Sequence, residues 1–370
     1  MKVNAVTTSK SVRYCSIDLM RGYAVTVMVL VHFLENLAGT RDWSPDGFGA
    51  PIFLFLSGVS YWIWLRARER RGVRAEQISR ETIRRGLFLV GLGFVFNGMV
   101  WLPEDLFTWD VLTFLGCTMC LLNVVRVMPA PAVLLTIILS VVLSPLMQSL
   151  ADYSAYWVNG YFETDLTLPE LFTGFLVTGY FPIFPWIALP LAGFLSAPVL
   201  LDPELSAVRQ RMMLERAAFG VILAVVVLAA IRKTLPWSER WLSAWTMFPA
   251  SLSYMVGVLG MVVVMLSWLH RWIDEEQVFR IPPSLLQRAQ RFSSYSLTIY
   301  LLHHVVHLWP VWIYGYCTTG DPTVYWGRMC AWWPAFLLGV LFLICSDWLL
   351  FHLKRRGVPT VEDLLRWLAE

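Results

Sequence analysis

The residues best suited to chemistry sit where charge is least expected, inside a long apolar run. Between Ser16 and Asn36 the chain carries Asp18, Arg21, His32 and Glu35. At about 100° per residue a helix gathers all four into an arc of roughly 100°, and Asn36 joins it. Ionisable groups in such a run are costly unless they face a cavity or a partner, so a stripe of them marks a functional surface. In this set His32 is the natural general base, Glu35, one turn on, can orient its ring, and Arg21 can pair with or bind an anion. A rise of about 1.5 Å per residue puts about 16 Å between Arg21 and His32. The plainer assignment is a helix-end ion pair between Asp18 and Arg21, three residues apart.

A second polar stretch reads Ser296-Leu-Thr-Ile-Tyr300-Leu-Leu-His303-His304-Val-Val-His307. Helical spacing puts Ser296, Tyr300, His303 and His307 on one face and His304 about 40° to the side. Stacked polar groups of this kind suit the wall of a substrate cavity, and which of the three histidines faces it stays open. The four-residue spacing of His303 and His307 suits a metal, but no H-E-x-x-H or neighbouring carboxylate completes the set, so no metal is expected. Asn97, Asp110 and Asp347 are unassigned partners for the histidines or arginines. Arg84 and Arg85 serve either as anchors on the positive side of a membrane or as a phosphate clamp at a cofactor mouth.

These groups are carried by a chain of 370 residues, 57% hydrophobic and only 15% charged, with a net charge of +3. An ordinary soluble protein is about 25% charged. Such a balance excludes disorder and offers no basic field for nucleic acid. Ten apolar segments are each near the roughly 20 residues that cross a bilayer. They fall near 17–37, 50–65, 86–102, 106–125, 131–150, 180–201, 218–231, 247–269, 294–314 and 329–353. The expected fold is an all-α polytopic membrane protein, a single domain over 1–370 with no separate soluble domain. With both termini cytoplasmic, 23 of the 29 basic residues, Lys2 and Lys10 among them, fall on the cytoplasmic side. The loop from Ala151 to Glu170 carries four acidic residues and no Lys or Arg, as an outer loop should.

Three prolines between Tyr180 and Gly193 predict a broken or re-entrant helix. Residues 354–370 read as a short amphipathic cytoplasmic tail, opened by a capping box at Thr360-Val-Glu-Asp363. Cys117 and Cys120 lie within a span, where packing is their expected role. Cys317 and Cys330 flank the last outer loop and are a candidate disulfide.

Asp18-Leu-Met-Arg21-Gly22, ten residues and then His32-Phe33 resembles the first-helix pattern of acyltransferase-3 proteins. It is closer still to bacterial relatives of heparan-α-glucosaminide N-acetyltransferase. Asp46 and the Pro51-Ile-Phe-Leu-Phe-Leu-Ser57-Gly58 run resemble the second span of that family, and Phe181-Pro-Ile-Phe-Pro-Trp186 and Ser296-x-x-x-Tyr300 resemble later elements. The resemblance implies an acyltransferase of the bacterial inner membrane. It would move an acyl group, typically acetyl from acetyl-CoA, to a glycan or lipid-linked envelope acceptor. His32 is then the catalytic histidine and Arg21 a structural or donor-binding residue. Relatives carry a histidine in the loop before the second span; Gly39 to Gly49 has none here, so the burden falls on His32. On this reading Arg84 and Arg85 bind the donor, and Asp18, Ser57, Tyr300, His303, His304 and His307 line the cavity. The rival readings are a proton-coupled transporter or flippase using the same polar residues, and a membrane scaffold.

Overall fold

The computed structural model describes residues 13–40, 47–101, 106–158, 161–202, 208–232 and 245–369. Lys2, Lys10 and Asp46 lie outside the described residues. The first helices are α1 (Cys15–Ala38), α2 (Gly49–Arg70), α3 (Ala75–Val100), α4 (Val111–Val125), α5 (Ala130–Val142) and α6 (Ser144–Leu150). A hairpin of β1 (Trp157–Val158) and antiparallel β2 (Tyr161–Phe162) follows. Then come α7 (Leu168–Thr173), α8 (Ile183–Trp186), α9 (Ala188–Leu201), α10 (Val208–Arg232) and α11 (Leu252–Leu269). The chain closes with α12 (Pro283–Ser294), α13 (Ser296–Thr319), α14 (Trp332–Arg356) and α15 (Val361–Ala369).

Helix occupies each of the ten predicted segments, but not every helix there is a full span. Among the described residues six runs are long and apolar enough to cross a membrane. They are α1, α2, α3, Leu168–Leu201, Leu252–Glu275 and α14; α5 and α6, bent by 44°, add a seventh if they form one span. Of the others, α4 has only 15 residues, and α13 is broken in hydropathy by three histidines and Pro310. The proline-rich segment is indeed broken: a π-helical turn at Gly174–Thr178 precedes α8, in which Phe184 leaves helical geometry at φ −100°, ψ 123°.

Burial follows the helical period. On α14, Ala335, Gly339, Phe342, Ser346 and Leu350 face the protein, while Leu337, Leu338, Leu341, Ile344 and Trp348 are exposed. An apolar outer face of that size would aggregate in water and suits contact with lipid.

Two local devices hold α1 in place. At its start, Asp274 accepts from the Cys15 and Ser16 amides (2.8 and 3.2 Å), taking up N–H groups that the helix itself leaves unpaired. At its end, Gly39 adopts φ +65°, a left-handed cap that glycine enters without strain. The loop before α14 then hooks on: the Gly327 amide bonds Asn36 O at 2.8 Å and the Met329 amide Leu37 O at 2.9 Å. That hook brings Trp326 against α1. The tail helix α15 is seated on α3 and α13, with Asp363 accepting from the Thr360 amide and hydroxyl, both at 3.0 Å. Cys317 and Cys330 are both free thiols, so the candidate disulfide is not formed.

Candidate active site

One cavity of about 1960 Å³ runs beside α1 and α13. Its wall from α1 is Val27, Met28, Val31, His32, Glu35 and Asn36, and from α13 it is Ser296, Leu297, Tyr300 and His304. Where α1 and α13 begin, Ser293, Ser294, Glu362 and Leu365 complete the wall. Towards the end of α1 the lining passes to Trp326 and to the loops carrying Asp152, Trp157, Tyr161, Glu163, Asp165 and Glu170. Tyr161 packs on Trp326 with ring centroids 4.6 Å apart. The cavity thus reaches from the start of α13 to the end of α1, with His32 and His304 along the way.

The histidines meet across that pair. His32 Nδ1 is 2.8 Å from His303 Nε2. Their planes differ by 13° with centroids 5.1 Å apart, a separation that, for so short an N···N contact, requires the rings to meet edge to edge rather than face to face. One turn on, the Asn36 side-chain amide meets His307 Nε2 at 2.8 Å and accepts from the Trp326 indole at 2.9 Å. His304 packs edge-on against Phe96 and Trp101, and its buried Nδ1 meets no hydrogen-bond partner among the described residues. Ligand atoms of His32, His303 and His304 lie within 4.8 Å of one another, a set able to hold a divalent transition metal. Coordination there would have to open the His32–His303 contact.

Helical spacing grouped Ser296, Tyr300, His303 and His307 on one face, and the structure divides them. Ser296, Tyr300 and His304 form the row that lines the cavity, whereas His303 and His307 form the adjacent row turned towards α1. His303 is the partner of His32 Nδ1, and Glu35 lines the cavity one turn on. Tyr300 donates to Asp110 at 3.1 Å, and Asp110 also caps α4 through the Thr113 amide. Asp347 finds an arginine, Arg291, at 2.6 Å, while Asn97 bonds Thr108 rather than a histidine.

Besides His303 and His307, five predicted positions stand apart from the cavity wall. Asp18 pairs with Arg13 at 2.6 Å, not with Arg21. Arg21 instead donates to the hydroxyls of Ser60 and Ser293, and Ser293 does line the cavity. Ser57 returns its hydroxyl to Leu54 O on its own helix. Arg84 is exposed, and the Arg85 guanidinium lies over Trp64, 4.8 Å from the ring centroid. Sequence reasoning missed Trp326, Ser60, Ser293 and Glu362. Trp326 sits in a turn-rich loop, and no periodicity ties such a loop to a helix 290 positions away.

Residues 13–236 match the family described as "Heparan-alpha-glucosaminide N-acetyltransferase, catalytic". The match covers more than half of the chain and includes His32, while the histidines of α13 lie beyond it. No curated protein matches the chain.

Proposed function

The chain belongs to the heparan-α-glucosaminide N-acetyltransferase catalytic family, and on that premise we propose that it moves an acetyl group from acetyl-CoA to an envelope glycan or lipid-linked acceptor, with His32 as the base. The family and the six apolar helices make it an integral membrane acetyltransferase. The observation that carries the finer reading is the position of His32 on a cavity that runs from the start of α13 to the end of α1.

Donor and acceptor then share one chamber. Ordinary small-molecule sites have volumes of about 300–1,000 Å³, and about 1960 Å³ is room for two substrates. The acyl-CoA reaches in from the Ser293, Ser294 and Glu362 end. Arg21 and Arg13, bonded to Ser293 and Ser294, put positive charge behind that mouth for the phosphates. The acceptor comes from the aromatic and acidic loops at the other end. His32 takes the proton of the acceptor amine or hydroxyl as its nitrogen or oxygen attacks the thioester carbonyl. The C–S bond breaks, the acyl group stays on the acceptor, and the departing thiolate takes the proton from His32. Tyr300, beside the site and bonded to Asp110, helps to hold the acceptor. A thioester is a good electrophile, so positioning and proton transfer are what the protein must supply.

Comparing the envelope glycans of cells carrying wild type and His32→Ala tests this reading. An acetyl mass increment present with wild type and absent with the variant is the expected result; identical envelopes would remove His32 from the mechanism.

A further inference from the structure

We propose that His303 is the positioning residue that decides which nitrogen of His32 is basic. The proposal rests on His32 being the base and adds what makes it one.

The protons follow from the partners. His303 Nδ1 is 2.5 Å from Tyr300 O and 3.2 Å from Ile299 O. A carbonyl oxygen only accepts, so with one proton per ring the His303 proton is on Nδ1 and its Nε2 keeps a lone pair. That lone pair faces His32 Nδ1 at 2.8 Å, which must therefore donate. His32 is left with its own lone pair on Nε2. The neighbouring set obeys the same logic independently. The Trp326 indole can only donate, so Asn36 turns its oxygen to it and its amide N–H to His307 Nε2. His307 must then carry its proton on Nδ1, and Nδ1 is found 2.6 Å from His303 O. The His32–His303 and Asn36–His307 contacts are thus assigned by the same rule, each with a donor facing an acceptor.

The arrangement differs from the hydrolytic triad, where a carboxylate orients the histidine. Here a second imidazole does so, itself locked by backbone carbonyls. When His32 takes the acceptor proton on Nε2, its Nδ1–H remains bonded to His303 Nε2 and the contact becomes charge-assisted. The proton cannot pass onward through His303, because the far nitrogen already carries one and is held on a carbonyl. It returns from Nε2 to the leaving thiolate. His303 thus stores the proton on the side where it is needed.

The test uses the full chain in lipid nanodiscs, labelled with ¹⁵N-histidine, and its NMR arm needs no knowledge of the acceptor. Nitrogen NMR of the wild type should show His32 as the Nδ1–H tautomer, its resonances identified by their loss in His32→Gln. A scalar coupling across the N–H···N bond to His303 should accompany it. His303→Leu should shift His32 towards the Nε2–H tautomer, while His303→Asn, which offers an acceptor oxygen, should retain Nδ1–H. Turnover should fall about 10- to 100-fold in His303→Leu, part of the roughly 10²–10⁴-fold a general base supplies, with KM unchanged and partial recovery in His303→Asn. An Nε2–H tautomer in wild type, a missing coupling, or a stoichiometric metal on these nitrogens overturns the proposal. If His303→Leu does not fold, the wild-type tautomer and coupling still decide. An active His32→Ala beside an intact coupling would overturn the base itself, and is distinguishable from an inactive His32→Ala with no coupling, which would overturn only the role of His303.

Discussion

Two buried helix contacts in this protein are built on opposite terms. Where α2 meets α9, Gly58 and Gly193 bring the two backbones together: a Cβ on Gly58 would strike Pro190 O, and one on Gly193 would strike Phe55 O. Around them Leu54, Phe55, Val59, Leu189 and Leu191 are buried and apolar. Where α1 meets α13, the contact is made by His32, His303, Asn36 and His307, and a cavity opens beside it. Small residues give close, dry packing, the way helices associate in lipid without a hydrophobic force between them. Imidazoles and amides carry a desolvation cost that only a full set of partners offsets. The first contact is scaffold and the second is the site, and each should fail in its own way.

The largest effect belongs to the scaffold. Gly58→Leu leaves the new side chain no space against backbone atoms that cannot yield, and overpacking of this kind costs about 1–3 kcal/mol or more. Size-exclusion chromatography in detergent should show loss of the monodisperse protein, whereas His32→Ala should leave it intact. At the polar contact, Asn36→Leu leaves His307 Nε2 and the Trp326 indole without their partners. Unpaired buried groups cost about 1–3 kcal/mol, so the melting temperature should drop; an unchanged value would mean that the amide bridge contributes little.

The smallest effect lies in the tail. The Thr360 backbone N–H, with its hydroxyl, holds the Asp363 carboxyl below the usual carboxylate range. A group lowered in the folded state adds stability that is complete above its unfolded pKa, about 3.9, and is lost as pH falls through the folded value. Docking of α15 should therefore be independent of pH above about 5 and loosen only in stronger acid. Asp363→Asn should remove that dependence for a few tenths of a kcal/mol, since the side chain is 41% exposed and solvent screens it. Hydrogen exchange along α15 reads both.

The apolar runs made the helices legible, and the one-faced stripe made His32 legible. Periodicity can gather residues on a face, but it cannot tell which of two adjacent four-residue rows meets a neighbouring helix and which meets a cavity. That is why the sequence left open which of the three histidines faces the cavity, and the structure gives that place to His304. Asp18 pairs backwards with Arg13, in the segment before the helix, because α12 holds Arg13 there through Gln290 O and Ser294. Arg85 found the face of Trp64, a partner on another helix that composition does not connect to it. The close approach of Gly58 to Pro190 was likewise hidden, since a glycine in an apolar run carries no sign of what lies opposite. Within α1 the sequence spoke clearly, and between helices it did not.

The most direct measurement uses sealed proteoliposomes with envelope extract trapped inside and radiolabelled acetyl-CoA supplied only outside. Wild type should transfer label to the trapped acceptor and release CoA, and His32→Ala should be slower by about 10²–10⁴-fold while remaining folded. Equal transfer by His32→Ala, or proton-coupled uptake of solute with no CoA released, would contradict a membrane acetyltransferase that works through His32.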